Sequence, residues 1–122
     1  MRKLSWLLLL ALSLTPLRAE ARGGRICLPF TRTYAHLRDL PEGAAAALGF
    51  PIAERGARWN ATDVVGPGPR LPFARFISAQ GGGCTLTIHY ERGGIAHIYL
   101  DALLSRDEHG WHLARTVTRR AN

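Results

Sequence analysis

Hydrophobic and polar positions alternate most cleanly in the second half of the chain. Cys84 to Glu91 reads Cys-Thr-Leu-Thr-Ile-His-Tyr-Glu, with Leu86, Ile88 and Tyr90 at every second place. A period of two marks a strand with one buried face. Runs of similar character cover Phe73 to Gln80, Ile95 to Leu104 and Trp111 to Thr118. Gly81-Gly82-Gly83, Arg92-Gly93-Gly94 and the polar stretch Arg106 to Gly110 read as the turns between them. Four strands on short links predict an antiparallel meander, with the tail from Arg119 frayed.

The same pattern selects a register for the central hairpin. A two-residue turn at Gly93-Gly94 would set Asp101 against Leu86 and His97 against Tyr90. A three-residue loop, Arg92-Gly93-Gly94, sets Ile98 against Ile88 and Leu100 against Leu86. The second choice gathers Leu86, Ile88, Tyr90, Ala96, Ile98 and Leu100 on one face, as a core requires. It leaves Thr85, Thr87, His89, Glu91, His97, Tyr99 and Asp101 on the other. His89 then faces His97, with Cβ atoms about 4.5–5.5 Å apart.

The first half is less regular. Ile26 to Phe30 fits a short strand. Thr31 to Leu40 fits either a strand or a helix: Tyr34, Leu37 and Leu40 recur at helical spacing, while Thr31 and Thr33 favour a strand. Pro41 to Leu48 has the best helix signals: Pro41 at a first position, Glu42 in the first turn, a run of alanines, then Gly49 as a cap and Pro51 beyond it. Residues 51–72 read as a long ordered loop or a short strand with turns, broken by Gly66-Pro67-Gly68-Pro69. The expected fold class is α+β, a short helical N-terminal half packed on a four-stranded antiparallel β-meander. This order resembles cystatin-like and NTF2-like folds at the level of architecture, with no motif behind it, so it implies no function.

The N-terminus changes the domain picture. Arg2 and Lys3 precede an apolar run, Leu4 to Leu14, then Thr15-Pro16 and the small-residue stretch Ala19-Glu20-Ala21. Residues 1–21 thus read as a cleavable signal peptide. The run falls short of the roughly 20 residues a membrane crossing needs. Residues 22–122 are then a single small domain without a membrane span, periplasmic or extracellular. Gly24-Arg25-Ile26 before Cys27 is not a lipoprotein signature.

Charge and cysteines narrow the partners. The chain carries a formal charge of +7; loss of Arg2, Lys3, Arg18 and Glu20 with the leader leaves +5. Beyond Lys3 every basic residue is Arg, as a GC-rich bacterial genome would give. The arginines are dispersed rather than clustered in a stripe, which argues against nucleic-acid binding. Cys27 and Cys84 are the two cysteines. In an oxidising compartment they are expected to pair, a link worth about 4 kcal/mol in the chain-entropy account. There is no Cys-x-x-Cys redox motif.

Candidate chemistry lies on the polar sheet face. His89 and His97 with Glu91, Tyr99 and Asp101 offer ligands for Zn²⁺ or Cu²⁺, or groups for acid–base work near neutral pH. A half-solvated sheet face would carry such residues without any function. No nucleophile elbow, phosphate loop, His-Glu-x-x-His or dinucleotide fingerprint is present. Trp59, set among polar loop residues, is either core or a partner anchor. The sequence thus predicts a small exported bacterial protein that binds another envelope or secreted protein without catalysis. The alternative is a metal-binding (Zn or Cu) or hydrolytic protein that uses the His89/His97 face.

Overall fold

The computed structural model describes residues 27–119. The predicted signal peptide lies outside the described residues, as does the last part of the tail. One mixed sheet organises the chain: β1 Leu28–Tyr34, β2 Ile52–Ala53, β3 Ala74–Gly83, β4 Thr85–Arg92, β5 Ile98–Asp107 and β6 Gly110–Thr118. The order is β1-β3-β4-β5-β6, all antiparallel. The two-residue β2 runs parallel to the start of β3.

The predicted α+β fold is therefore corrected. The structure is six-stranded and essentially without helix among the described residues. Two single turns of 3-10 helix, Leu37–Asp39 and Ala46–Leu48, stand where a helical half was expected. Within Pro41 to Leu48 the reason is local. Gly43 adopts φ +82°, a left-handed conformation that an α-helix cannot contain. Gly49 caps the last turn at φ +79°, in the role its position suggested. With no helix, the architectural resemblance to cystatin-like and NTF2-like folds loses its basis.

Thr31 and Thr33 resolve toward strand because β3 offers β1 a free edge. Crowding along β3 explains two of the three glycines. Gly81 and Gly82 are not turn residues but part of β3, paired with Leu86 and Thr85 of β4. A Cβ at Gly81 would stand 2.6 Å from the Thr85 carbonyl oxygen, and one at Gly82 would stand 3.0 Å from Thr31 Oγ1. Close approach of neighbouring strands, not turn geometry, requires glycine there. The turn is Gly83-Cys84, with positive φ only at its first residue, the sign pattern of a type II′ hairpin.

One sheet face is buried. Phe76, Leu86, Ile88, Tyr90, Leu100, Ala102 and Leu104 line it, and Tyr34, Ala44 and Leu48 cover it from the first half of the chain. Glu54 fastens that cover. Its carboxylate accepts the backbone N–H of Leu37 at 2.8 Å, Arg38 at 3.1 Å and Arg55 at 2.8 Å. Burial pushes this carboxyl up, but the three N–H donors and nearby His36 outweigh it and hold it below the usual carboxylate range. The predicted disulfide is present: Cys27, just before β1, joins Cys84 in the β3–β4 turn, with Cα atoms 4.7 Å apart. It ties the start of the domain to the sheet.

Candidate functional site

The other sheet face is polar, and its composition follows from the strand period. His89 and Glu91 of β4 share it with Tyr99 and Asp101 of β5, as expected. Their pairing differs from expectation. Glu91 opposes Tyr99, His89 opposes Asp101, and Leu86 opposes Leu104. The β4–β5 connection is the five residues 93–97, because Ile95, Ala96 and His97 stay out of the strand. His97 therefore does not face His89. The register moves by four residues, an even number, so the side chains that remain in the two strands keep the faces assigned to them, while Ala96, expected on the core face, is exposed in the loop.

A loop from the first half roofs one end of this face. Backbone bonds run from Asn60 N–H to the Pro72 carbonyl (2.8 Å), from Gly93 N–H to the Phe73 carbonyl (2.8 Å) and from Gly94 N–H to the Ala61 carbonyl (3.4 Å). Gly93 lies so close under Asn60 and Ala61 that a Cβ there would stand 2.5 Å from the Asn60 oxygen. Inside the loop, Asn60 Oδ1 accepts the Thr62 N–H at 3.0 Å and its amide donates to the Val64 carbonyl at 3.0 Å. The loop is thus ordered by its own polar groups.

Beneath it sits the only charged side chain buried among the described residues, Glu91, which is 6% exposed. Arg75 of β3 donates from Nε to Glu91 Oε1 at 2.6 Å. His97 Nε2 meets Glu91 Oε2 at 2.8 Å. Trp59 of the loop lies over the Arg75 guanidinium, 4.8 Å from ring centroid to Cζ, and packs 5.5 Å from the His97 ring. Tyr99 closes the other side of His97 at 5.1 Å. Glu91 is thereby a hub that ties strand, hairpin loop and roof.

A second group stands beside it. His89 Nδ1 meets Asp101 Oδ1 at 2.6 Å, and Arg119 Nε donates to the same oxygen at 2.6 Å. Burial pushes the Asp101 carboxyl up, yet the hydrogen bonds from His89 and Arg119 and their charges outweigh it and hold it below the usual carboxylate range. An ionised Asp101 only accepts, so a proton of His89 lies on Nδ1 in this contact. Arg119, expected to fray, is anchored twice: its N–H also donates to the Tyr99 carbonyl at 2.9 Å.

The predicted residues are thus split between two clusters: His97, Glu91 and Tyr99 in one, His89 and Asp101 in the other. Among the described residues, no group of three or more His, Cys, Asp or Glu is placed to hold a metal ion. Sequence reading missed Arg75 and Arg119. Arg75 alternates with buried Ala74 and Phe76, so it belongs on the polar face, where a charge pair with Glu91 across the strands was readable. No signal in the sequence announces Arg119, whose role depends on how far β6 runs.

Exposed apolar side chains gather at the roofed end. Ile95 is 97% exposed in the hairpin loop; Val64 and Val65 protrude from the roof, and Phe73 stands half-exposed at its exit. A groove of about 400 Å³ opens along Arg58, Trp59, Val64, Val65, Arg70 and Phe73. Among the described residues no helix is long and apolar enough to cross a membrane. No family model, no curated protein and no solved structure matches this chain.

Proposed function

We propose that this is an exported, non-catalytic binding protein that engages another envelope or secreted protein through the roofed end of the sheet. The observation that carries this reading is the concentration of Val64, Val65 and Ile95 on two loops held together by backbone hydrogen bonds. Apolar side chains on preordered loops bind with little further loss of chain entropy, and contiguous exposed ones commonly mark interaction surfaces. Trp59, already fixed by Arg75 and His97, supplies a rigid aromatic wall to the groove. Among the described residues, Arg58 and Arg70 on that groove have no carboxylate within 4.0 Å. They fit an acidic partner surface. Export is supported by the leader-like N-terminus and by the Cys27–Cys84 disulfide, a bond that persists in oxidising compartments.

The test is comparative capture. Wild-type protein is cross-linked in envelope extract beside a Val64→Asp/Val65→Asp/Ile95→Asp variant and a Val117→Asp control on the far edge strand. One acidic partner recovered in stoichiometric amount by wild type and control, and lost by the triple variant, is the expected result. Equal recovery by all three would overturn the reading.

A second reading keeps the metal or hydrolytic alternative, now centred on His89 alone. Its Nε2 is unpartnered among the described residues, Asp101 orients its ring, and Ser78 of β3 is its cross-strand neighbour. Metal titration and ester hydrolysis, each compared with His89→Ala, decide it. Identical behaviour of the two proteins removes it.

A further inference from the structure

A second groove, of about 360 Å³, opens on the opposite side of the ridge formed by residues 70–73. It belongs to the buried face of the sheet rather than the polar one. Arg92 follows Ile88 and Tyr90 at the two-residue period, so it stands on the core face at its open end, directly opposite Ala74. The covering segment stops short there. Phe50 packs on Tyr90, with ring centroids 5.5 Å apart, and is the last large side chain over that end. The hydrophobic core therefore has a mouth, with Ala74 in its floor and Phe50, Leu71 and Phe73 as walls.

Its lining is one-sided in charge. Arg70 and Arg92 are the two charged residues of the groove, and no acidic residue lines it. Among the described residues, neither arginine has a carboxylate within 4.0 Å. Phe50 and Phe73 remain 36% and 44% exposed beside them. The remaining wall comes from Pro51 and Pro72, which present no N–H to a peptide backbone. An apolar slot rimmed by two guanidinium groups, with two prolines in its wall, suits a small amphiphile better than an extended peptide.

We propose that this mouth binds a small carboxylate amphiphile, a fatty-acid-like molecule whose apolar body lies between Phe50 and Phe73 and whose carboxylate meets Arg70 and Arg92. The site goes beyond the protein-partner reading, and its test can fail separately. Calorimetric titration of the whole protein with octanoate, beside 1-octanol, reads it directly. One octanoate per chain is expected, bound more tightly than the alcohol. An Arg70→Gln/Arg92→Gln variant should bind octanoate about tenfold more weakly or worse, since charge-assisted bonds are lost, and octanol unchanged. Both substitutions are at exposed positions, so folding is retained. The Val64→Asp/Val65→Asp/Ile95→Asp variant should keep octanoate binding even where it loses the protein partner. No saturable binding, equal affinity for octanol, or an unaffected arginine variant would overturn the proposal. So would tight binding of an acidic phenylalanine-containing peptide with none of octanoate, which would make the groove a peptide site.

Discussion

Replacement of Glu91 by Ala should destabilise the fold more than any other single carboxylate change on the polar face. Glu91 holds Arg75 at 2.6 Å and His97 at 2.8 Å while itself almost fully buried. A hydrogen bond to a charged group contributes about 1.5–3 kcal/mol, and its removal strands the partner. Neither partner is fully stranded here. The Arg75 and His97 side chains retain 31% and 44% of their exposure and regain water when Glu91 is gone. The net loss expected is therefore about 2–3 kcal/mol, below the full penalty for breaking a buried ion pair. For a domain of this size that corresponds to a fall in Tm of about 10–20 °C.

Thermal and urea unfolding followed by tryptophan fluorescence and circular dichroism measure it. Glu108→Ala serves as the control, since that side chain is exposed, and it should stay within about 0.5 kcal/mol of wild type. Arg75 also packs on Trp59, so Arg75→Ala loses more than the ion pair. A double-mutant cycle separates the two, and the Arg75–Glu91 coupling should be about 1–2 kcal/mol. A Glu91→Ala protein within 0.5 kcal/mol of wild type, or a coupling near zero, would refute the hub.

The other predictions are briefer. Cys27→Ser/Cys84→Ser should lose about 4 kcal/mol, and thiol titration of the unreduced, denatured wild type should find no free thiol. Gly93→Ala should cost about 2–4 kcal/mol and shift Trp59 emission, because a Cβ would stand 2.5 Å from the Asn60 oxygen and the loop must lift off. Trp111→Phe should cost no more than about 1 kcal/mol by urea unfolding, since the buried indole N–H has no hydrogen-bond partner among the described residues, whereas Trp111→Ala should cost about 3–5 kcal/mol. Asp101 is held below its unfolded value, so its contribution is fully present above about pH 4–5 and disappears as pH falls through the folded value. Wild type and Asp101→Asn should therefore differ in stability at neutral pH and converge in acid; a constant difference down to pH 2 would contradict this.

What was legible and what was not divides along one physical line. The period of two in Cys84 to Glu91 reports which face a side chain takes, and the structure agrees for Leu86 to Glu91 and for Ile98 to Asp101, but not for Ala96, which lies exposed in the loop. Loop length is a different quantity. Ile95 and Ala96 look like strand residues, and the three-residue loop satisfied every local criterion. What enlarges the loop is non-local: Gly93 lies under the backbone of Asn60 and Ala61, and His97 turns back to Glu91 between Trp59 and Tyr99. Local pattern could not contain that. The same holds for Gly81 and Gly82, which suit a turn by composition. They are required in a strand because β1 and β4 crowd them from both sides.

The helical expectation failed for a related reason. Residues 41–48 have genuine helix signals, yet two turns without tertiary support are marginal, and Gly43 lets the chain reverse. Once β1 takes the free edge of β3 and β2 joins below it, residues 35–51 must span from one to the other while burying Ala44 and Leu48 in the core. Tight 3-10 turns follow that path and a straight helix would not. The same detour leaves Phe50 as the last cover over Tyr90 and so opens the core beside Arg92. The feature that sequence reading missed in the first half is thus the one that creates the mouth proposed to bind a carboxylate amphiphile.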